Sequence, residues 1–172
     1  MINTVPSADE YTEYQSTYVR LVPDGDILAI LREQLADTRA LMSSLTDSQA
    51  EFRYAEGKWS LKEVVAHIAD NERIMAYRLL AVARGDQTSL PGYDQDEYIA
   101  TVDLASVPLA VLVEDFAAVR IATLSMLGLL SEAAWQRRGT ANGTTISVRA
   151  LAYIIAGHER YHLNILKEKY LI

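Results

Sequence analysis

The chain has 172 residues, of which 50% are hydrophobic and 23% are charged, and this is the size and balance of one globular domain. Its 23 acidic residues outnumber its 16 lysines and arginines, giving a formal net charge of -7. An acidic chain with no basic cluster lacks the footprint of a nucleic-acid-binding protein. Cysteine is absent, which excludes disulfides, thiolate metal sites and cysteine nucleophiles.

The N-terminal segment is polar and rich in tyrosine, without the apolar core of a secretory signal. No apolar run approaches the ~20 residues of a membrane-spanning helix. We therefore expect a cytoplasmic protein with no membrane partner. We predict an extended or partly disordered N-terminal extension over residues 1–25, followed by a single domain over residues 26–172.

Four long segments carry apolar residues at helical spacing, and each predicts a helix. A capping box of Ser60 and Glu63 marks the start of the second helix, because each side chain can bond the other residue's backbone N–H. The pair Asn142 and Gly143 indicates a turn shortly before the fourth helix. The predicted helices cover residues 26–44, 61–84, 108–130 and 147–170.

Long connections join these helices, and they cover residues 46–59, 86–106 and 131–146. A short helix is expected over residues 93–101, and Trp135 is expected to fold onto the bundle. No convincing series of strands is present. The sequence therefore predicts an all-α fold, a four-helix bundle whose long connections allow a topology other than simple up-down-up-down.

All three histidines of the chain, His67, His158 and His162, fall inside predicted helices. His158 and His162 are four residues apart, so their side chains lie one turn apart on one helix face. That face carries apolar residues, and the face of the second helix that carries His67 is also apolar. Three imidazoles are therefore expected to project into one interior.

Three neutral imidazoles can hold one divalent transition metal per chain and leave positions open for water or substrate. This donor set suits Zn²⁺, Ni²⁺ or Fe²⁺. The alternative is that the histidines are hydrogen-bonded core residues. A pair spaced by four residues makes that less favourable, because several partners are needed to satisfy four buried ring nitrogens.

Polar residues beside the first histidine are candidates for orienting a ligand or accepting a proton. These candidate catalytic residues are Glu63, Asp70 and Asn71. The simpler interpretation of Glu63 is its capping role. Asp70 and Glu72 are expected near a solvated edge, and Glu159 in an exposed stretch.

Two segments resemble motifs of the DinB-like proteins. Residues 58–72, KWSLKEVVAHIADNE, resemble the signature that opens the family's second helix, and residues 142–162 resemble its last-helix motif with a His-x-x-x-His pair. The resemblance extends over about residues 26–170 and implies a four-helix bundle with His67, His158 and His162 as ligands near one end. Members of the superfamily include metal-dependent S-transferases that use bacillithiol or mycothiol, a related isomerase, and proteins named as hydrolases.

Three functions follow from these observations. The first is a metal-dependent enzyme that activates a small-molecule thiol for S-transfer, with the sulfur supplied by a cosubstrate because the chain has no cysteine. Candidate basic groups for that cosubstrate are Arg78, Arg149 and Arg160. The second is a metal-dependent hydrolase with Glu63 or Asp70 as base. The third is a metal-binding or structural module without turnover.

A homodimer is also expected, since homodimers are common in the family that the chain resembles. Several apolar residues exceed what one core needs and are candidates for the dimer face. They are Leu79, Leu80, Val82 and Ile121.

Overall fold

The computed structural model describes residues 4–170 and residue 172. Four long helices dominate it, and all elements are numbered in chain order. The long helices are α2 (Ile27–Ser43), α4 (Leu61–Ala83), α6 (Leu109–Gly128) and α8 (Val148–Lys169). The shorter elements are a 3-10 turn (Ala8–Glu10), α1 (Glu13–Val19), α3 (Asp47–Ala50), α5 (Gln95–Ala100), α7 (Glu132–Trp135), β1 (Arg138–Ala141) and β2 (Thr144–Ser147).

The long helices form the predicted four-helix bundle. Helix α2 packs against α6 and α8, and α4 packs against the same two helices. The consecutive helices α2 and α4 are therefore at opposite corners of the bundle, and so are α6 and α8. The long connections make this arrangement possible, because a short loop joins only neighbouring antiparallel helices.

Side-chain caps fix the starts of three bundle helices. Asp26, Ser60 and Ser147 each accept a hydrogen bond from a backbone N–H in the first turn of the helix that follows. At Ser60 the capping box is complete, because the Glu63 carboxylate accepts from the Ser60 N–H at 2.6 Å. The predicted starts of these helices are confirmed to within a residue.

Two apolar clusters fill the bundle, one toward each end. On all four long helices buried polar or charged residues lie between the two clusters or within a turn of their boundary. These are Gln34 and Thr38 on α2, His67, Asn71 and Glu72 on α4, Arg120 and Thr123 on α6, and His158, Glu159 and His162 on α8. We call this set the polar layer, and it is where candidate chemistry is concentrated.

The N-terminal segment is not extended as predicted, because residues 13–19 form α1 and pack against α8. Tyr18 and Val19 are buried there. The backbone approaches α8 so closely that a Cβ on Gly157 would lie 2.1 Å from the Tyr18 carbonyl oxygen. Residues 1–3 lie outside the described part of the chain, and the division into an extension and a single domain over residues 26–172 stays a prediction.

A buried carboxylate anchors this segment to the bundle. Glu10 is almost fully buried and accepts hydrogen bonds from the Arg149 guanidinium, the Ser147 hydroxyl at 2.6 Å and the Ser7 N–H at 2.8 Å. Burial alone would raise the pKa of Glu10, but these donors outweigh it and lower the pKa to about 2. The segment is therefore held by an ion pair and by apolar packing together.

Replacing this anchor should destabilise the protein in a pH-dependent way. We expect Glu10→Gln to lower the free energy of unfolding by about 2–3 kcal/mol near neutral pH. Because the folded-state pKa is lowered from 4.5 to about 2, the stabilisation is complete above pH 4.5 and is lost as the pH falls toward 2. Urea unfolding at several pH values should show the difference from wild type narrowing over that range.

Glu13→Gln is the matched control, because Glu13 is exposed and makes only two long contacts, an ion pair with Arg20 at 3.7 Å and a hydrogen bond from the Ser16 hydroxyl at 3.5 Å. Equal stability of Glu10→Gln and wild type at neutral pH would contradict the anchoring role.

A short hairpin lies between α7 and α8, where the sequence predicted no strand. Strands β1 and β2 pair antiparallel around Asn142 and Gly143, whose φ angles of 51° and 72° suit the tight turn of a two-residue hairpin. Leu90 forms a bridge to Ala141, which ties the long connection before α6 to this hairpin. The strands are too short for their alternation to be visible in the sequence.

The predicted dimer face is only partly exposed. Leu79 and Val82 are buried in the core of the same chain, so their assignment to that face was wrong. Leu80 and Ile121 are exposed. Over the part of the chain that the structure describes, no helix has the length and apolar character needed to cross a membrane.

Candidate metal centre

The three histidines come together in the polar layer. His67 on α4 and His158 and His162 on α8 are all buried, and their candidate ligand nitrogens lie within 4.8 Å of one another. The Nε2 atom of His158 is 3.0 Å from Nε2 of His67 and 3.2 Å from Nε2 of His162. Among the described residues this group contains three imidazoles and no carboxylate.

Hydrogen bonds among the imidazoles cannot satisfy all three Nε2 atoms at once. A ring nitrogen carries either one proton or one lone pair, so Nε2 of His158 can bond one neighbour but not both. Two ligands of one tetrahedral Zn²⁺, each about 2.0–2.1 Å away, are separated by about 3.3 Å. The observed spacings of 3.0 and 3.2 Å are close to that value, so the donor set fits a divalent transition metal.

Burial keeps all three imidazoles neutral. It lowers the pKa of His67 to about 4, and burial together with the neighbouring His67 lowers the pKa of His162 to about 3. The pKa of His158 is also well below its usual range, chiefly through burial and then through the other two histidines. Neutral imidazole is the form that binds metals, so the site is ready to bind at neutral pH.

Each imidazole packs against an aromatic side chain. The Trp59 ring is 4.8 Å from that of His67, between centroids. The Tyr18 ring lies 5.4 Å from His158, and the Tyr161 ring lies 5.3 Å from His162. These rings restrict the imidazole orientations and exclude water from part of the centre. Tyr18 belongs to the N-terminal segment, for which the sequence predicted no part in the site.

Two of the three predicted polar neighbours are engaged elsewhere. The Glu63 carboxylate binds the Arg53 guanidinium at 2.5 and 2.9 Å in addition to capping α4. Asp70 is bonded to Arg73 at 3.2 Å and is partly exposed, as expected of a residue near a solvated edge. Neither carboxylate belongs to the ligand group around the histidines.

Asn71 is buried and lines a cavity beside the centre. Its Oδ1 accepts a hydrogen bond of 2.7 Å from the hydroxyl of Tyr93. Burial raises the pKa of Tyr93 to about 12, so that hydroxyl keeps its proton. The cavity has a volume of about 520 Å³ and also reaches His158. A second cavity of about 610 Å³ reaches His162 and Trp59. Two open spaces therefore flank the centre.

A buried charge network lies in the same polar layer. Arg120 is 0% exposed and binds both oxygens of Glu72 at 2.8–3.0 Å and Oε2 of Glu159 at 2.9 Å. Glu159 also accepts from Thr38 and Gln34 on α2. The expectation that Glu72 lies near a solvated edge and Glu159 in an exposed stretch was wrong, because both are buried inside the bundle, where they share the single positive charge of Arg120. Burial raises the pKa of Glu159, and Arg120 opposes that shift.

The predicted basic residues have different surroundings. Arg78 lines the 520 Å³ cavity. Arg149 is held by Glu10, away from both cavities. The Nε atom of Arg160 is buried without a hydrogen-bond partner among the described residues, and Arg160 lines neither cavity.

Two proteins with similar sequences are named as metal-dependent hydrolases. A protein of Oceanobacillus iheyensis named "putative metal-dependent hydrolase" is 27% identical over 128 residues, which are 73% of each chain. A protein of Geobacillus thermodenitrificans with the same name is 23% identical over 137 residues, which are 78% of this chain and 77% of that one.

Solved structures share the fold. YfiT from Bacillus subtilis, described as a probable metal-dependent hydrolase with an unusual four-helix bundle topology, superimposes with a TM-score of 0.72 at 16% identity, covering 95% of this chain and 89% of its own. The mycothiol-dependent maleylpyruvate isomerase superimposes with a TM-score of 0.62 at 19% identity, and the match covers 79% of this chain and 57% of the isomerase chain. The family model of the DinB superfamily matches residues 30–166. The chain is therefore a metal-binding, DinB-like four-helix bundle and belongs to the DinB superfamily.

Proposed function

We propose that this protein is a metal-dependent enzyme that activates a small-molecule thiol for S-transfer, with His67, His158 and His162 as the metal ligands. One observation carries the proposal: among the described residues, the ligand group is made of three imidazoles and contains no carboxylate. The carboxylates that neighbour the histidines along α4 and α8 are already bonded to arginines, namely Glu63 to Arg53, Asp70 to Arg73, and Glu72 and Glu159 to Arg120.

This arrangement suits a thiol better than water. When bound, a divalent cation supplies Lewis acidity, which deprotonates a coordinating thiol without help from a neighbouring base. Hydrolysis commonly also uses a general acid or base, and the four carboxylates nearest the histidines along the chain are bonded to arginines. The carboxylate left for that role among the described residues is Asp96, which lines the 610 Å³ cavity. The residues of this chain hold the ligands neutral, exclude water through Trp59 and Tyr18, and provide two cavities for the reactants.

A metal-dependent hydrolase is the alternative, and the names of the Oceanobacillus and Geobacillus relatives favour it. A non-catalytic module has less support, because no fourth protein ligand closes the group among the described residues. A homodimer stays part of the proposal, with the exposed Tyr77, Leu80 and Ile121 as candidate contact residues.

Thiol binding at the metal is the decisive measurement. We expect cobalt-substituted protein titrated with L-cysteine, glutathione or a sugar-linked thiol to develop a sulfur-to-cobalt charge-transfer absorption. Proton release should accompany binding, because the thiol loses its proton on coordination. Metal-dependent alkylation of that thiol by monobromobimane would establish S-transfer.

The variant Asp115→Asn is a suitable control, because Asp115 bonds Arg73 on the surface and should leave the absorption unchanged. No spectral change with any thiol, together with metal-dependent cleavage of an ester or amide panel, would overturn the proposal in favour of the hydrolase.

A further inference from the structure

Arg78 is a buried cation without a carboxylate partner. Three cationic side chains are buried in the described part of the chain, and two of them are paired: Lys62 with Glu51 at 2.6 Å, and Arg120 with Glu72 and Glu159. Arg78 is 6% exposed, yet no described carboxylate oxygen lies within 4.0 Å of its nitrogens. Burying a charge without a counter-charge costs stability. The unpaired position of Arg78 is therefore better explained by a function than by stability.

The guanidinium keeps donors available to a ligand. One Nη2 proton goes to the Pro91 carbonyl at 2.6 Å, and Nη1 makes a weak contact with the Met75 sulfur at 3.6 Å. The ring of Tyr93 also lies near the guanidinium, with the centroid 6.0 Å away. Five N–H donors are present on an arginine, so most of them are not used by the protein. Burial lowers the pKa of Arg78, as expected where no carboxylate offsets it.

Arg78 lies on the same side of α4 as the metal centre. It follows His67 by 11 residues, which is about three helical turns and an axial distance of about 16 Å. Asn71 and Met75 lie between them and line the same 520 Å³ cavity as Arg78 and His158. Because long side chains on a helix lean toward its N-terminus, the guanidinium is on the order of 10 Å from the centre.

We infer that this cavity binds an elongated small molecule with an anionic end, a carboxylate or a phosphate, which Arg78 holds while the other end reaches the three histidines. The inference rests on the proposed function, because it names the substrate class of that centre. Arginine suits this role because its planar fork binds either anion through two parallel hydrogen bonds.

Three matched thiols test the inference on zinc-loaded protein: 8-mercaptooctanoate, 8-mercaptooctyl phosphate and uncharged 8-mercaptooctanol. By calorimetry we expect at least one anionic thiol to bind wild type about 10- to 100-fold more tightly than the alcohol. The tighter of the two anions identifies the natural anionic group. Equal affinity of all three for wild type would overturn the inference, and this comparison needs no variant.

Variants then assign the preference to Arg78. Arg78→Met should remove the preference for the anion, and Arg78→Lys should restore part of it. Arg32→Gln removes one positive charge from an exposed position on α2 and should change nothing. If folded Arg78→Met protein still bound the anionic thiol more tightly than the alcohol, another residue would hold the anion and the inference would be overturned.

Octanoate and octanol, titrated into metal-free protein, separate this inference from the proposed function. If octanoate binds more tightly and Arg78→Met removes the difference, the anion site stands even if no thiol reaches the metal. If the mercapto group adds affinity only in zinc-loaded protein, the proposed function gains support independently. Absence of any charge preference with millimolar probes, in both forms of the protein, would overturn the anion site.

Discussion

Untagged protein with the substitution His158→Ala should contain no stoichiometric metal, whereas wild type should contain about one equivalent of a transition metal per chain. The substitution removes the imidazole that contacts both of the others, leaving His67 and His162 without their shared neighbour. Loss of an outer-shell partner already costs 10- to 100-fold in affinity, so loss of a ligand should cost more than about 100-fold. Elemental analysis and metal titration would measure this directly.

Thermal stability supplies an independent readout of the same site. Metal at a thousandfold excess over its Kd should stabilise wild type by about 4 kcal/mol and leave His158→Ala almost unchanged. Tyr161→Phe is the matched control, because it retains the ring that packs on His162 and removes only the hydroxyl. Absence of metal from untagged wild type would mean that the histidines are core residues and would remove both enzyme hypotheses. Full retention of metal in His158→Ala would mean that His158 is not a ligand and would contradict the three-histidine site.

Spacing and helix position were enough to predict that the three histidines meet. His158 and His162 share a face by the geometry of any helix, and the apolar character around His67 predicts its inward orientation. The family resemblance implied the same arrangement, with all three histidines as ligands. Residue spacing could not show which carboxylates have no ion-pair partner. Glu63, for example, is bound by Arg53, a residue in the preceding loop whose position depends on the tertiary fold.

Arg120 was overlooked although its position carried a signal. It lies four residues after the buried Phe116 and seven before the buried Leu127, in the middle of the apolar stripe of α6. A charge at such a position indicates a buried ion pair, but the sequence does not identify its partners. Tyr18 gave no comparable signal, because α1 is short and is stabilised by contacts with α8 that depend on the whole fold.

Arg120→Met should strongly destabilise the fold. Arg120 binds Glu72, Glu159 and, through Nη1, the Leu31 carbonyl at 3.1 Å, so it joins all four bundle helices in the polar layer. Burial alone would lower the pKa of Arg120, but the two carboxylates raise it, so the guanidinium stays charged inside the bundle. Removing it leaves two carboxylates buried without a counter-charge, and we expect a loss of about 3–5 kcal/mol in urea unfolding.

A compensated variant distinguishes the loss of charge balance from the loss of volume. Arg120→Met combined with Glu72→Gln and Glu159→Gln removes every charge of the network while keeping side chains of similar size. Part of the lost stability should return, because neutral amides need no counter-charge and the amide at position 159 can still bond Thr38 and Gln34. If the triple variant were as unstable as Arg120→Met alone, packing around Arg120 would be the cause. If Arg120→Met unfolded at the wild-type urea concentration, the network would contribute nothing measurable to the bundle.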